Sequence, residues 1–270
     1  MQDVSVLIPL YKSARFLTNL QALIPPLLEA GIHVLVSDRH GADDTLDILK
    51  ACFGRWPRFR TFQSTDGLDW VHNINGLIEV VQTPFFRIVM HDDLIDPASL
   101  VALRDVMTRD RNTVLCFGPT FAEDLDGNRL PDLDELNPQE KFGTSSTTGT
   151  PDLADIFWNW RYRGAFKGLI RTQPVHRQAL YIRRTPTSAL SERAWLCALA
   201  LLGDIRFAAS GSYIKRYYDS STHRSWQITD GTRRDAVDAI LAYVDELVDD
   251  PAMRLSLRAG LLRPLEAAAS

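Results

Sequence analysis

Short β-branched runs alternate with stretches of helical spacing through the first 120 residues. Val4–Leu10 reads as a buried strand carrying Pro9 near its end. From Ser13 the apolar positions Phe16, Leu17, Leu20, Leu23, Ile24, Leu27 and Leu28 predict a helix, kinked at Pro25-Pro26 and stopped at Gly31. Residues 32–37 predict a second strand, followed by a polar turn from Asp38 to Asp43; Asp43 or Asp44 then caps a helix to about Phe53. Residues 59–63 predict a third strand, and Trp70, Ile74, Leu77, Ile78 and Val81 mark the next helix. A fourth apolar run begins at Phe85 and breaks off after Met90 into His91-Asp92-Asp93. A helix from Pro97 to about Thr108 and the strand Thr113–Phe117 close the series. This alternation predicts an open, mostly parallel α/β sheet with right-handed crossovers.

After Gly118 the rhythm changes. Residues 123–151 are polar, contain Gly127, Gly143 and Gly149, and include an unbroken Ser/Thr run at 144–148. Such a stretch is either a binding loop or simply mobile. Helices are expected at 152–163 and at Ser191–Leu202, strands at 205–209 and 213–217, and further helices from about Arg233. The expected organisation is one domain over residues 1–228, with a nucleotide-binding half (1–118) and an acceptor-side half (119–228), followed by a C-terminal helical extension (229–270).

Composition narrows the class without naming a function. With 45% hydrophobic and 24% charged residues the chain reads as a globular protein, and a net charge of −4 gives no reason to expect a nucleic-acid partner. Cys52, Cys116 and Cys197 show no metal or redox spacing and are expected to be buried free thiols. No apolar stretch approaches the roughly 18 residues that span a bilayer, and no signal peptide is evident, so the expected location is cytoplasmic.

The acids after Met90 carry the chemistry. A buried strand that delivers carboxylates at its C-terminal end puts them in the crevice where open α/β sheets bind ligands. Adjacent carboxylates repel one another, and a divalent cation would neutralise Asp92 and Asp93 together. This points to metal-bridged phosphate chemistry.

Taken in order, these segments resemble the family 2 glycosyltransferases of the GT-A fold over nearly the whole chain. Val4-Ser5-Val6-Leu7-Ile8-Pro9-Leu10-Tyr11 resembles the first strand and its proline-containing turn. Val36-Ser37-Asp38 with Gly41-Ala42-Asp43-Asp44-Thr45 is a looser version of the acidic turn after the second strand. Asp66-Gly67 and the helix with Asn73 and Asn75 resemble the segment before the metal motif, and His91-Asp92-Asp93 with Pro97 and Leu100 resembles a variant of that motif.

The resemblance implies a metal-dependent inverting transferase that takes Mn2+ or Mg2+ and a nucleotide-sugar donor, and whose acceptor is a glycan or glycoside hydroxyl. It implies Asp93 as direct metal ligand, with Asp92 binding through water or holding the donor ribose; Met90 stands where the family has another acid. Asp38 is implied as the acceptor of a base N–H, flanked by Pro9 and Tyr11. A carboxylate there favours uracil or thymine, though guanine also offers donors. Asp69 and Asn73 are weaker donor-binding candidates, since a polar residue early in a helix is as readily a cap.

The family's base is commonly an acid at the start of a helix that ends in Gly before a strand. Counting back from Gly203 places Glu192 there, with Ser191 where an acid is often found. The run from Tyr213 to Trp226 resembles the C-terminal strand and loop that close over the donor diphosphate. Lys215, Arg216 and Arg224 would screen the diphosphate, and His223 is either a metal ligand or a solvated loop histidine.

Trp158, Trp160 and Tyr162 either stack on an acceptor sugar or belong to the core. The stripe Val237, Ile240, Leu241, Val244, Leu247 and Val248 predicts an amphipathic helix packed on the body of the protein, with a homodimer or peripheral membrane contact left open. Its many acids argue against anionic lipid. Two other readings stay in view. A nucleotidylyltransferase would need glycines where the chain reads Leu10-Tyr11-Lys12-Ser13-Ala14-Arg15, and a non-catalytic nucleotide-sugar-binding protein would account for Met90, Ser191 and Glu192.

Overall fold

The computed structural model describes residues 1–39, 43–64, 69–137, 150–219 and 226–267. β1 (Val4–Leu10) lies between β2 (His33–Arg39) and β4 (Phe85–Ile88), and β3 (Phe59–Ser64) pairs with β2, all in parallel. β7 (Leu169–Arg171) runs antiparallel between β4 and β5 (Thr113–Phe117), and β8 (Asp204–Phe207) lies parallel to β5. The sheet order is therefore β3-β2-β1-β4-β7-β5-β8. β6 (Thr120–Glu123) and β9 (Tyr213–Arg216) form a separate parallel pair.

Strand alternation divides the core in two. Val4, Val6, Ile8 and Leu10 of β1 face one side, with α1 (Leu17–Glu29), α2 (Thr45–Phe53) and α4 (Pro97–Arg109). Leu7 of β1, with Phe86 and Ile88 of β4, faces the other, with α3 (Trp70–Val80), α5 (Leu153–Trp158), α7 (Ser191–Leu202) and α8 (Asp230–Leu247). A parallel sheet must be covered on both faces, and these two clusters do so. α6 is Thr172–Arg177, and α9 is Pro251–Ala267. Leu257 and Leu261 of α9 join the same core as α8.

Several predicted boundaries move for identifiable reasons. α1 runs through Pro25 and Pro26, preceded by a short 3-10 turn at Ala14–Phe16. Asp38 belongs to β2, paired with Leu10, and is not part of the following turn. Asp43 accepts a hydrogen bond from the Thr45 backbone N–H at 3.0 Å, as expected of a residue opening α2. The helix expected over 152–163 stops at Trp158, because Trp160 takes a left-handed φ of 58°. Within the long polar segment Glu135 pairs with Thr120 and Leu130 donates to Ala122, while residues 138–149, with the Ser/Thr run, lie outside the described residues. Cys116 and Cys197 are buried, but Cys52 is exposed on α2, contrary to expectation. None of the described helices is long and apolar enough to cross a membrane.

Candidate active site

The strand order reverses at β1, so the crevice of this sheet opens at the C-terminal ends of β1 and β4. The chain leaves β4 and turns through His91, Asp92 and Asp93. The next residue, Leu94, exchanges two backbone hydrogen bonds of 3.0 Å with Ile214, which brings β9 alongside the acids.

Asp93 is engaged by three protein donors. Its Oδ2 accepts from the Tyr213 hydroxyl at 2.7 Å and from Lys167 Nζ at 3.2 Å, and its Oδ1 accepts from the Arg216 backbone N–H at 2.9 Å. Beneath this group lies Arg87, 1% exposed in the middle of β4. Its Nε donates to the Lys167 carbonyl at 2.5 Å, and its guanidinium lies 4.9 Å from the Tyr213 ring centroid. Gly168 permits the approach that delivers Lys167: a Cβ there would stand 2.7 Å from the Cys116 carbonyl oxygen.

Asp92 differs. Burial first, and the adjacent Asp93 second, push its carboxyl up, against a hydrogen bond from Tyr218. His91 is held by packing, with its Nδ1 2.6 Å from Ser13 Oγ and its ring stacked on Phe16, and burial lowers it to about 4.

Glu192 sits in the first turn of α7, reached through Leu190 at φ 62°. The residue is half-buried, but its Oε2 is sealed from solvent and has no hydrogen-bond partner among the described residues. Burial raises its carboxyl, against the opposing charges of Arg193, Lys215 and Lys167. Lys167 therefore acts on Glu192 and Asp93 together. Lys215, on β9, is screened by Tyr217 and Glu135; these and Asp93 outweigh its burial and hold it charged. Its neighbour Arg216 points to the other face, where Nη1 donates to Asn19 Oδ1 at 3.1 Å.

Of the remaining sequence candidates, Pro9, Tyr11 and Asp38 meet at the ends of β1 and β2. Pro9 and Asp38 are buried, whereas Tyr11 is 42% exposed. Asn73 is buried, donates to the Leu10 carbonyl at 3.0 Å and accepts from the Ser37 hydroxyl, so it braces the wall of the crevice. Asp69 is the N-cap of α3, accepting from Val71 and His72 backbone N–H groups. Burial would raise it, but bonds from Ser188, His72 and Arg184 outweigh that and hold it at about 2. Both residues make structural bonds at the crevice. His223, Arg224, Asp66 and Gly67 lie outside the described residues. Lys167, Tyr213, Tyr218, Arg87 and Asn19 were not singled out from sequence; only Tyr213, opening an alternating strand, carried any signal.

The sequence model of glycosyl transferase family 2 matches residues 5–167. The chain belongs to that family. The structure of S. aureus TarS 1-349 in complex with UDP-GlcNAc matches with a TM-score of 0.69 at 15% identity, over 96% of this chain and 71% of that one. Mannosyltransferase PcManGT from Pyrobaculum calidifontis, in complex with GDP-Man and Mn2+, matches with a TM-score of 0.54 at 11% identity, over 99% and 75%. At such identities structural likeness establishes the fold, which is the GT-A fold. No curated protein matches the sequence.

For this glycosyltransferase the fit of a divalent ion is tested by its own carboxylates. No group of three or more His, Cys, Asp or Glu among the described residues is arranged to hold a metal. Asp93 accepts hydrogen bonds from Tyr213, Lys167 and Arg216, whereas the Asp92 carboxyl is raised by burial and by Asp93, against a hydrogen bond from Tyr218 and the charge of Lys167. One carboxylate with substrate phosphates suffices for an ion such as Mg2+. The two carboxylates fit an ion completed by donor phosphates, and they differ in how many protein donors already engage them.

Proposed function

We propose that this glycosyltransferase moves a sugar from a UDP-linked donor to a hydroxyl of a glycan or glycoside, with inversion at the transferred carbon. The observation that carries the reading is Glu192: a carboxylate with a sealed, unpartnered Oε2 at the start of α7, raised by burial, in a glycosyltransferase of family 2. Glu192 takes the proton of the acceptor hydroxyl. The freed oxygen attacks the sugar carbon from the side opposite the diphosphate, the carbon–oxygen bond to the β-phosphate breaks, and its electron pair leaves with the nucleoside diphosphate.

Asp92 would hold the divalent ion, Mn2+ or Mg2+, and such an ion would neutralise charge on the departing diphosphate. This exchanges the roles expected of Asp92 and Asp93. Asp93 instead positions β9 and Lys167. Asp38 at the end of β2 reads the base, with Pro9 and Tyr11 flanking it. That TarS was solved with UDP-GlcNAc and PcManGT with GDP-Man supports a nucleotide-sugar donor and leaves the base to be tested.

The test is a calorimetric titration of UDP with Mn2+ and again with a chelator. Binding that depends on Mn2+, followed by UDP release from a UDP-sugar, is the expected result. Binding of GDP in place of UDP would overturn the base assignment at Asp38.

A further inference from the structure

Beside the first turn of α7 the surface encloses a hollow of about 340 Å³, unlike the crevice in character. Its walls include Trp158, Trp160, Leu190 and Ile228. Two of these are non-glycine residues in the left-handed region, Trp160 at φ 58° and Leu190 at φ 62°. Each such conformation is strained and persists where the surroundings hold it. Here it leaves the large Trp160 side chain 38% exposed, although a tryptophan is ordinarily placed to bury its rings.

The hollow adjoins the candidate base through the chain itself. Leu190 lies two residues before Glu192, and the guanidinium of Arg193, the residue after it, is 4.3 Å from the Trp160 ring centroid. Glu192 itself does not line the hollow, so an acceptor that reached both would extend past the first turn of α7.

The rim is charged. Arg233, Arg234 and Asp230 line it, and Arg233 pairs with Asp230 at 2.9 Å. Arg234 is exposed, and no hydrogen bond or ion pair to another described residue engages its guanidinium. Among the described residues of the rim, the Arg234 guanidinium is left over. Exposed aromatic and aliphatic surface suits the face of a sugar ring, and a guanidinium suits a phosphate or carboxylate.

We infer that this hollow is an acceptor subsite for an anionic sugar unit, one bearing a phosphate or a carboxylate, which stacks on Trp160 and pairs with Arg234. The inference rests on the transferase reading above and adds the class of acceptor to it. A neutral glycan would give the Arg234 guanidinium no anion to pair with.

The experiment is calorimetry at low salt with glucose 6-phosphate, glucuronate, glucose and inorganic phosphate, on the wild type, Trp160→Ala and Arg234→Glu, with a UDP titration of each. The expected result is that one charged sugar binds about tenfold more tightly than glucose and than inorganic phosphate, and that each substitution removes about that factor while UDP binding is unchanged. Whichever of glucose 6-phosphate and glucuronate binds more tightly identifies the anionic group. Equal affinity for glucose and the charged sugars, equal affinity for inorganic phosphate and glucose 6-phosphate, or charged-sugar binding untouched by both substitutions would overturn the subsite. Charged-sugar binding lost in the variants, in a protein that binds no nucleotide, would instead sink the transferase reading and leave the hollow a sugar site.

Discussion

At the end of β4 the Asp93 carboxylate is held by Tyr213, Lys167 and the Arg216 backbone, whereas at the start of α7 the Glu192 Oε2 has no partner among the described residues. Both groups are acidic, both are shielded from water, and Lys167 acts on both. Buried polar atoms are normally paired, so the first arrangement is what a scaffold looks like and the second is what a group poised for a reactant looks like. The same contrast separates Asp69 and Asn73, whose polar groups are spent on caps and cross-links, from Asp92, whose carboxyl is raised by burial and by Asp93. On the reading proposed above, a carboxyl raised by burial, more than acidity itself, marks where the chemistry belongs.

The sharpest way to break that contrast is Glu192→Gln. If Glu192 is the base, transfer falls by about a thousandfold in kcat while UDP affinity stays within about twofold; steady-state kinetics beside calorimetry check this. A Gln variant that turns over normally would make the unpaired oxygen irrelevant.

Asp93→Ala sharpens the other side. Removing the carboxylate strands Lys167, whose side chain is 13% exposed, and the variant is expected to lose about 3 kcal/mol of unfolding free energy in urea. A loss confined to activity, with stability intact, would return Asp93 to the role of ligand.

A third effect is smaller and depends on pH. Burial raises the folded pKa of Glu192 above its unfolded value. Stability linked to its neutral form is therefore complete below the unfolded pKa and is lost as pH rises through the folded one. Glu192→Gln removes that loss, so the variant is expected to be more stable than the wild type by about 1 kcal/mol above neutrality and equal to it in acid. Thermal melts across pH give the answer. The transfer rate of the wild type should fall in acid through an apparent pKa above the ordinary glutamate value, in the same direction.

Much of the scaffold was legible in the pattern of side chains. β1 and α7 lie where the apolar runs put them, because a buried strand and a helix ending at Gly203 each leave a regular trace. β7 left none: it is three residues long and is a strand because β4 and β5 flank it. Trp160 cut short the helix begun at Leu153 through a backbone angle that composition does not announce. In the candidate site, Glu192 was singled out by counting from Gly203, and both acids after Met90 by their abrupt appearance. The division of labour proposed for them left no trace there, because it rests on contacts with Lys167 and Tyr213, more than 70 residues away along the chain. A lone lysine before a glycine carries no periodicity to read.

The division of roles between the two acids is decided by setting Asp92→Asn against Asp93→Asn in UDP calorimetry with Mn2+ and with chelator. Asp92→Asn is expected to bind UDP weakly and equally under both conditions, while folded Asp93→Asn keeps its gain from Mn2+. A metal-dependent gain preserved in Asp92→Asn and lost in folded Asp93→Asn would contradict the assignment of the ion to Asp92.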